Sequence, residues 1–495
     1  MKFSIRLLAG ILLVLMTAAC FSACGTPEIT DEDPTETEPN TAAETDKAQE
    51  AETASAFDRL DGADYGTEFV VLTKSITGSN MWDPLDIVAE DQTGDLITDA
   101  IFERNGMVQE KLGIRIVQVD DNSYETHISA AVQGGSHEYD TVDVNLITTL
   151  GSLAVNGYLL DMKQFPVLDL SQSYWDPKVN GSIEILGRQY AAISEITYID
   201  DYATWCLFFN KERATNVQID PAELYGLAKD GNWTTERLYD YAELGVYDIN
   251  GDGMDSRDYW GIYTQYEAVN PLLASTGLTA VVRGTDGSLI NNLDNPSLLE
   301  ALEELYGYMS DKTVQLYAEN SGFSEIWNGV KEQFASGYGL FFIGPVGNID
   351  LNYLRNMDQD YGVLPLPKLY EEGEYTTTVQ YNNATAIGIL TTTENPERTA
   401  HILEAMAAAS SETLTPAFYE KVLLRKRVKD EESSEMLDLI FRNKAVDTAL
   451  LYNWANVGGM FQRIMKAGSF TYASETAAIH DAFERAISET LSAFS

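Results

Sequence analysis

The chain has 495 residues, with 32 Lys and Arg against 77 Asp and Glu, for a formal net charge of −45. That length implies two or three domains, and a surface so negative repels phosphate backbones and anionic lipid, which excludes nucleic acid or a basic membrane patch. Hydrophobic residues make up 44% of the chain, enough to build cores, while three Cys and four His rule out a disulfide framework and leave few zinc ligands.

Residues 1–25, MKFSIRLLAGILLVLMTAACFSACG, open with Lys2 and Arg6, continue through an apolar run from Leu7 to Met16, and end in small residues before cysteine. This pattern predicts a secretory signal. The run is shorter than the ~20 residues that span a bilayer. Cys20 follows Thr-Ala-Ala and Cys24 follows Phe-Ser-Ala, an arrangement that resembles the bacterial lipoprotein cleavage box; Cys24 is the better match and Cys20 the alternative. The plainer alternative is an ordinary secretory signal with incidental cysteines. From Thr26 to Ser55 the sequence is almost entirely Thr, Glu, Asp, Pro and Ala. Such a segment buries too little apolar area to offset its ordering entropy, so it predicts a self-repelling tether. The expected division is a signal at 1–23, a lipid-anchored acidic linker at 24–58, and then a globular body.

The body reads as alternating strands and helices. EFVVLT at 68–73 predicts a buried first strand. Helical spacing of apolar residues predicts a helix over 96–112 stopped by Gly113. A second strand is expected at 114–119, a helix near 126–133, and a third strand at 139–145 leading into a helix through Val155. This order predicts a mostly parallel sheet covered on both faces, with ligands bound where loops leave the strand ends. Further on, helices are expected at 298–309 and 324–336, strands at 339–343, 360–366 and 384–390, and helices at 396–408, 415–425, 431–443 and 479–494. No repeat of 20–50 residues is visible.

Several motifs in collinear order then carry a resemblance. They are DLITDAIFERNGMVQEKLG at 95–113, the 139–145 strand followed by GYLLD at 157–161, FFNKE at 208–212, NWTTERL at 232–238, Gly344-Pro345, YGVLPLPK at 361–368, and NPE at 395–397. Together they resemble the extracellular solute-binding proteins of ABC importers, family 1 of the sugar type, over most of residues 68–495. The stretch 415–454 is similar to a subgroup common in Gram-positive gut clostridia. The resemblance implies an α/β fold of the periplasmic-binding-protein-like type II class, with two lobes, an interlobe cleft and a hinge. Lobe 1 would take 59–203 plus 376–415 and lobe 2 would take 204–375 plus 416–495, with crossings near 202–206 and 367–379. It further implies a lipid-anchored monomer on the outer face of the cell membrane that captures a carbohydrate and delivers it to an ABC permease, with no catalytic cofactor. A peptide or other polar solute is the alternative ligand, and a surface glycoside hydrolase the alternative class.

The sharpest local motif is Asp248-Ile-Asn250-Gly-Asp252-Gly-Met254-Asp255-Ser-Arg-Asp258. Oxygen ligands at positions one, three and five before a glycine suit a loop that wraps Ca²⁺. Position twelve is Tyr259 rather than Glu, so Asp255 or Asp258 would close the shell, with the carbonyl of Met254 at position seven; the alternative is an Asx-rich turn solvated by water. Sugars stack on aromatic rings and need polar partners for their hydroxyls. By position in the family, the implied ligand residues are Trp82, Trp205 and Trp454, with Asn145, Thr148, Glu195, Tyr266, Asn348 and Asn382. Val346 stands where sugar-binding relatives often carry Trp. Trp175 and Trp233 are expected to pack, and Cys206 to be a small buried residue. No nucleophile elbow, phosphate loop or zinc-protease motif is present, and the four His are scattered at 127, 137, 401 and 480, so no catalytic residue is nominated.

Overall fold

The computed structural model describes residues 54–74, 87–349, 352–423 and 431–495. The signal, Cys20, Cys24, nearly all of the 24–58 linker and Trp82 lie outside the described residues. The body, Ala56–Ser495, forms one compact unit.

Its first sheet is built from β1 (Glu68–Lys74), β2 (Arg115–Asp121), β3 (Thr141–Asn145) and a strand from far along the chain, β11 (Thr385–Ile389). The order is β11-β3-β1-β2, with β1 parallel to both β2 and β3 and β11 antiparallel to β3. The Leu96–Leu112 helix that links β1 to β2 begins where the Asp95 carboxylate accepts the amides of Ile97 and Thr98. It ends at Gly113, which adopts φ 62°. A side chain there would also strike Asp64, 2.4 Å from the position of its Cβ, so glycine is required twice over.

The second sheet holds β4 (Trp205–Asn210), β5 (Trp260–Thr264), β8 (Gln315–Tyr317), β9 (Gly339–Pro345) and β10 (Tyr361–Leu364), in the order β10-β4-β9-β5-β8. A small hairpin, β6 (Val281–Arg283) and β7 (Leu289–Asn291), stands apart from it. All residues of β4, β5, β9 and β10 are buried, as continuous apolar strands between helical layers should be. The strands of the first sheet fall within 59–203 and 376–415, and those of the second within 204–375. The Leu414–Leu423 helix packs on the Leu96–Leu112 helix and thus on the first-sheet side, whereas Glu431–Arg442 packs on β10.

Three chain segments meet where the sheets adjoin. Thr204 pairs antiparallel with Val379, fixed by Trp205 N to Thr378 O (3.0 Å) and Gln380 N to Ala203 O (2.8 Å). Thr377 pairs in turn with Lys444, through Ala445 N to Thr377 O (2.8 Å) and Thr377 N to Asn443 O (3.2 Å). Three short segments therefore run side by side, held in register, where the chain passes between the two sheets.

At this junction Lys444 is buried and its Nζ reaches Asp200 (2.5 Å), Asp201 (2.7 Å) and Asp176 (3.0 Å). Glu195 stands beside Asp201 and Asp200, with its carboxylate accepting the Thr415 hydroxyl at a short contact. Burial, then repulsion by Asp201 and Asp200, pushes Glu195 up to about 8. Glu195 is thus part of the charged junction.

Candidate functional site

Loops leaving the carboxyl ends of β3 and β5 meet in one hydrogen-bonded chain. β3 ends at Asn145, whose side-chain oxygen caps the following π turn by accepting Thr148 N at 3.1 Å. The other end of the same amide donates to the carbonyl of Asn382 (2.8 Å), on the segment entering β11. Asn382 Nδ2 then donates to Glu267 (3.1 Å), and Gln380 Nε2 donates to the second oxygen of Glu267 (3.0 Å). Glu267 lies in the short turn after β5, next to Tyr266, whose amide donates to Glu319 (3.1 Å) and whose hydroxyl accepts Asn320 Nδ2 (2.7 Å). On the β3 side, Glu125 accepts the hydroxyls of Thr148 (3.1 Å) and Thr149. A continuous polar path therefore runs from the helix Tyr124–Gly134 of the first sheet to the turn after β8 of the second.

The path is accessible. Asn382 and Thr148 are exposed, while Glu267 and Glu319 are half-buried. Burial raises the pKa of Glu267, partly offset by the Gln380 and Asn382 amides. Burial likewise raises that of Glu319, whose Oε2 is enclosed and has no hydrogen-bond partner among the described residues. An enclosed acceptor of this kind is costly unless a donor reaches it. Tyr266 is 2% exposed and stacks on Tyr317 with ring centroids 4.0 Å apart and planes at 8°, so its ring supports the site from beneath.

Of the residues named from sequence, the structure brings Asn145, Thr148, Tyr266 and Asn382 into this path. The other described ones lie elsewhere. Trp205 is 1% exposed, because β4 pairing with β9 directs its ring into the core. Trp454 is 4% exposed, stacked on Tyr452 with its indole N–H donating to Thr490 (3.1 Å). Asn348 is fully buried and donates to the carbonyl of Pro345 (2.7 Å), closing the end of β9. Glu195 belongs to the buried cluster around Lys444. Trp175 and Trp233 are fully buried, their indoles bonded to Glu404 (2.8 Å) and to the carbonyl of Pro365 (3.2 Å). Around Trp454, the backbones of Asn453, Ala455 and Asn456 all have positive φ, from 49° to 54°, strain of a kind that clusters at functional loops.

The sequence reading missed Glu125, Glu267, Glu319 and Gln380. Glu267 carries a usable signal, since it is the first charged residue after a fully buried strand.

In the acidic loop, the carboxylates of Asp248, Asp252 and Asp258 each present an oxygen within 4.8 Å of the others. Asp258 is fully buried and accepts Ile249 N (2.9 Å) and Asp255 N (2.7 Å). Asp248 accepts the amides of Gly251 (2.7 Å) and Gly253 (2.9 Å), which hold its pKa below the usual range. Asp255 turns away to pair with Arg257. Asn250 Nδ2 donates to Asp252 (3.1 Å). Beside the loop, Met254, Asp255 and Trp260 line an open cavity of about 330 Å³.

No protein-family model matches the chain, and no curated protein sequence matches it. Solved structures do. The maltose/maltodextrin-binding domain MalE from Bdellovibrio bacteriovorus, bound to maltotriose, is similar at 15% identity over 84% of this chain and 99% of that one, with a TM-score of 0.54. UspC of M. tuberculosis is similar at 15% identity over 86% and 100%, TM-score 0.54. The ABC substrate-binding protein Lmo0181 from Listeria monocytogenes, in complex with cycloalternan, is similar at 14% identity over 86% and 99%, TM-score 0.52. The two-sheet α/β fold is that of MalE-type, periplasmic-binding-protein-like solute-binding proteins.

Proposed function

We propose that the protein is the substrate-binding component of an ABC importer that captures an extracellular carbohydrate and hands it to a membrane permease. The observation that carries this reading is the polar path from Glu125 through Asn145, Asn382 and Glu267 to Glu319, which joins the carboxyl ends of both sheets, themselves linked by a three-segment junction. Hydroxyl-rich ligands need such mixed carboxylate and amide partners, and rotation about that junction would bring both halves of the path onto one solute. The work is capture, closure and docking, with no bond made or broken. Two of the structural relatives hold oligosaccharides, maltotriose and cycloalternan, which favours a glycan ligand here.

The acidic loop at 248–258 fits a structural Ca²⁺ held by Asp248, Asp252 and Asp258, with Asn250 and the Met254 carbonyl completing the shell. One thermal-shift series addresses both ligands. A neutral oligosaccharide among maltotriose, mannotriose, galactotriose and longer glycans should raise the melting temperature by a few degrees at saturation, and CaCl2 should do so independently. No shift with any glycan would defeat the carbohydrate reading, and no shift with calcium would leave the loop a solvated turn.

The leader and linker fit a monomer anchored by lipid at Cys24, with Cys20 the alternative, on the outer face of the cell membrane; the likeness of residues 415–454 to the clostridial subgroup accords with that setting. Among the described residues no helix is long and apolar enough to cross a membrane. Metabolic labelling with an alkyne fatty acid should tag the wild type, and Cys24→Ala should lose the tag; retention of the tag in that variant would move the anchor to Cys20.

A further inference from the structure

Resting on the carbohydrate reading, we infer that Glu267 sets the charge class of the ligand, so that the site takes neutral glycans and rejects acidic ones such as uronates. Three carboxylates stand along the path, and each is held by neutral donors. Glu125 receives the hydroxyls of Thr148 and Thr149, Glu267 the amides of Gln380 and Asn382, and Glu319 the backbone amide of Tyr266. Among the described residues no Lys or Arg forms an ion pair with any of the three. The cation that acts on Glu319, Lys466, is itself exposed and therefore screened.

Glu267 is the central member. It lies on the second-sheet side, yet both its partners lie on the segment returning to the first sheet, which puts it between the two halves of the path. A sugar hydroxyl can donate to this carboxylate or to the enclosed Oε2 of Glu319. A uronate brings a second negative charge into a half-buried setting with no counterion, where like charges are costly. The amides of Gln380 and Asn382 can hold one carboxylate but do not neutralise it.

The test is calorimetric titration of the protein at pH 7.5 and low salt with maltotriose, mannotriose and galactotriose, set against trigalacturonate and trimannuronate. The neutral sugar that binds should outcompete its acidic counterpart by at least about tenfold. Glu267→Gln, an isosteric change, should shrink that ratio several-fold, and Asn382→Asp, which adds a carboxylate at the exposed end, should widen it. A uronate bound as tightly as the neutral sugar would overturn the inference while leaving the carbohydrate reading intact. So would a ratio that both variants leave unmoved. Binding by none of the sugars would remove the carbohydrate reading itself.

Discussion

Lys444→Met should lower unfolding stability by roughly 3–5 kcal/mol, the cost of stranding buried charge when one partner of an ion cluster is removed. Lys444 Nζ sits among three carboxylates, Asp200, Asp201 and Asp176, at 2.5, 2.7 and 3.0 Å. Burial alone would push its pKa down, but Asp200, Asp201 and Asp176 together drive it well up. Methionine fills the volume of the stem and leaves the acids facing one another. The same residue is paired through its backbone beside Thr377, which in turn bonds the carbonyl of Trp205 through its hydroxyl (2.7 Å). Loss of the cation therefore loosens all three crossing segments together. Urea denaturation of wild type, Lys444→Met and the triple change Lys444→Met, Asp200→Asn, Asp201→Asn measures this. Neutralising the acids should restore part of the loss, and a single variant within about 1 kcal/mol of wild type would show that the cluster does not hold the junction.

The fold was legible in sequence where periodicity and punctuation coincide. The helix Leu96–Leu112 is found between an Asp cap and a Gly stop, and Pro396–Glu412 begins at Asn395-Pro396. Periodicity did not show that the buried face of the first helix includes Arg104. That guanidinium is fully buried and donates to the carbonyls of Ile87 (2.5 Å) and Ile196 (2.7 Å), the second 92 positions away in sequence. The site was half legible for a related reason. Asn145, Thr148 and Asn382 came from position in the family, and the first two also sit just beyond the end of a strand. Trp205 and Trp454 do not, because an aromatic near a hinge is as useful for packing as for stacking, and pairing register alone decides which. Glu267 and Glu319 were hidden among 77 acidic residues. Only the hydrogen bonds from Gln380 and Asn382, more than a hundred positions away, separate Glu267 from a solvated surface acid.

Stability should be highest near pH 4 and fall as the pH rises toward 8.5, by about 3 kcal/mol or more. The sign follows from carboxyls whose folded-state pKa lies above the unfolded value. Burial pushes Asp143 up from 3.8 to about 7, Glu195 from 4.5 to about 8, and Asp200 and Asp447 from 3.8 to about 6. Between the two values the folded chain holds a proton that the unfolded chain has released. Each rise in pH then favours unfolding, by up to about 1.4 kcal/mol per unit per group, until the folded pKa is passed. Glu195 and Asp200 share the Lys444 cluster and titrate together, so Asp143 is the cleaner probe. It lies on β3 opposite Ile387, 2% exposed, and neither carboxyl oxygen has a hydrogen-bond partner among the described residues; the Thr385 hydroxyl beside it offsets the burial only in part. Below about pH 4 the slope should reverse, since Asp248, Asp255 and Asp286 are held low by amide, arginine and hydroxyl donors and lose those bonds on protonation. Urea midpoints at half-unit steps from pH 4 to 9 give the curve directly. Asp143→Asn should flatten its descent between pH 4 and 7, because the amide keeps the neutral form that burial already imposes. A wild type that gains stability from pH 5 to 8.5 would mean these carboxyls are ionised and solvated in the folded protein, and the buried charge of the junction would then have to be counted afresh.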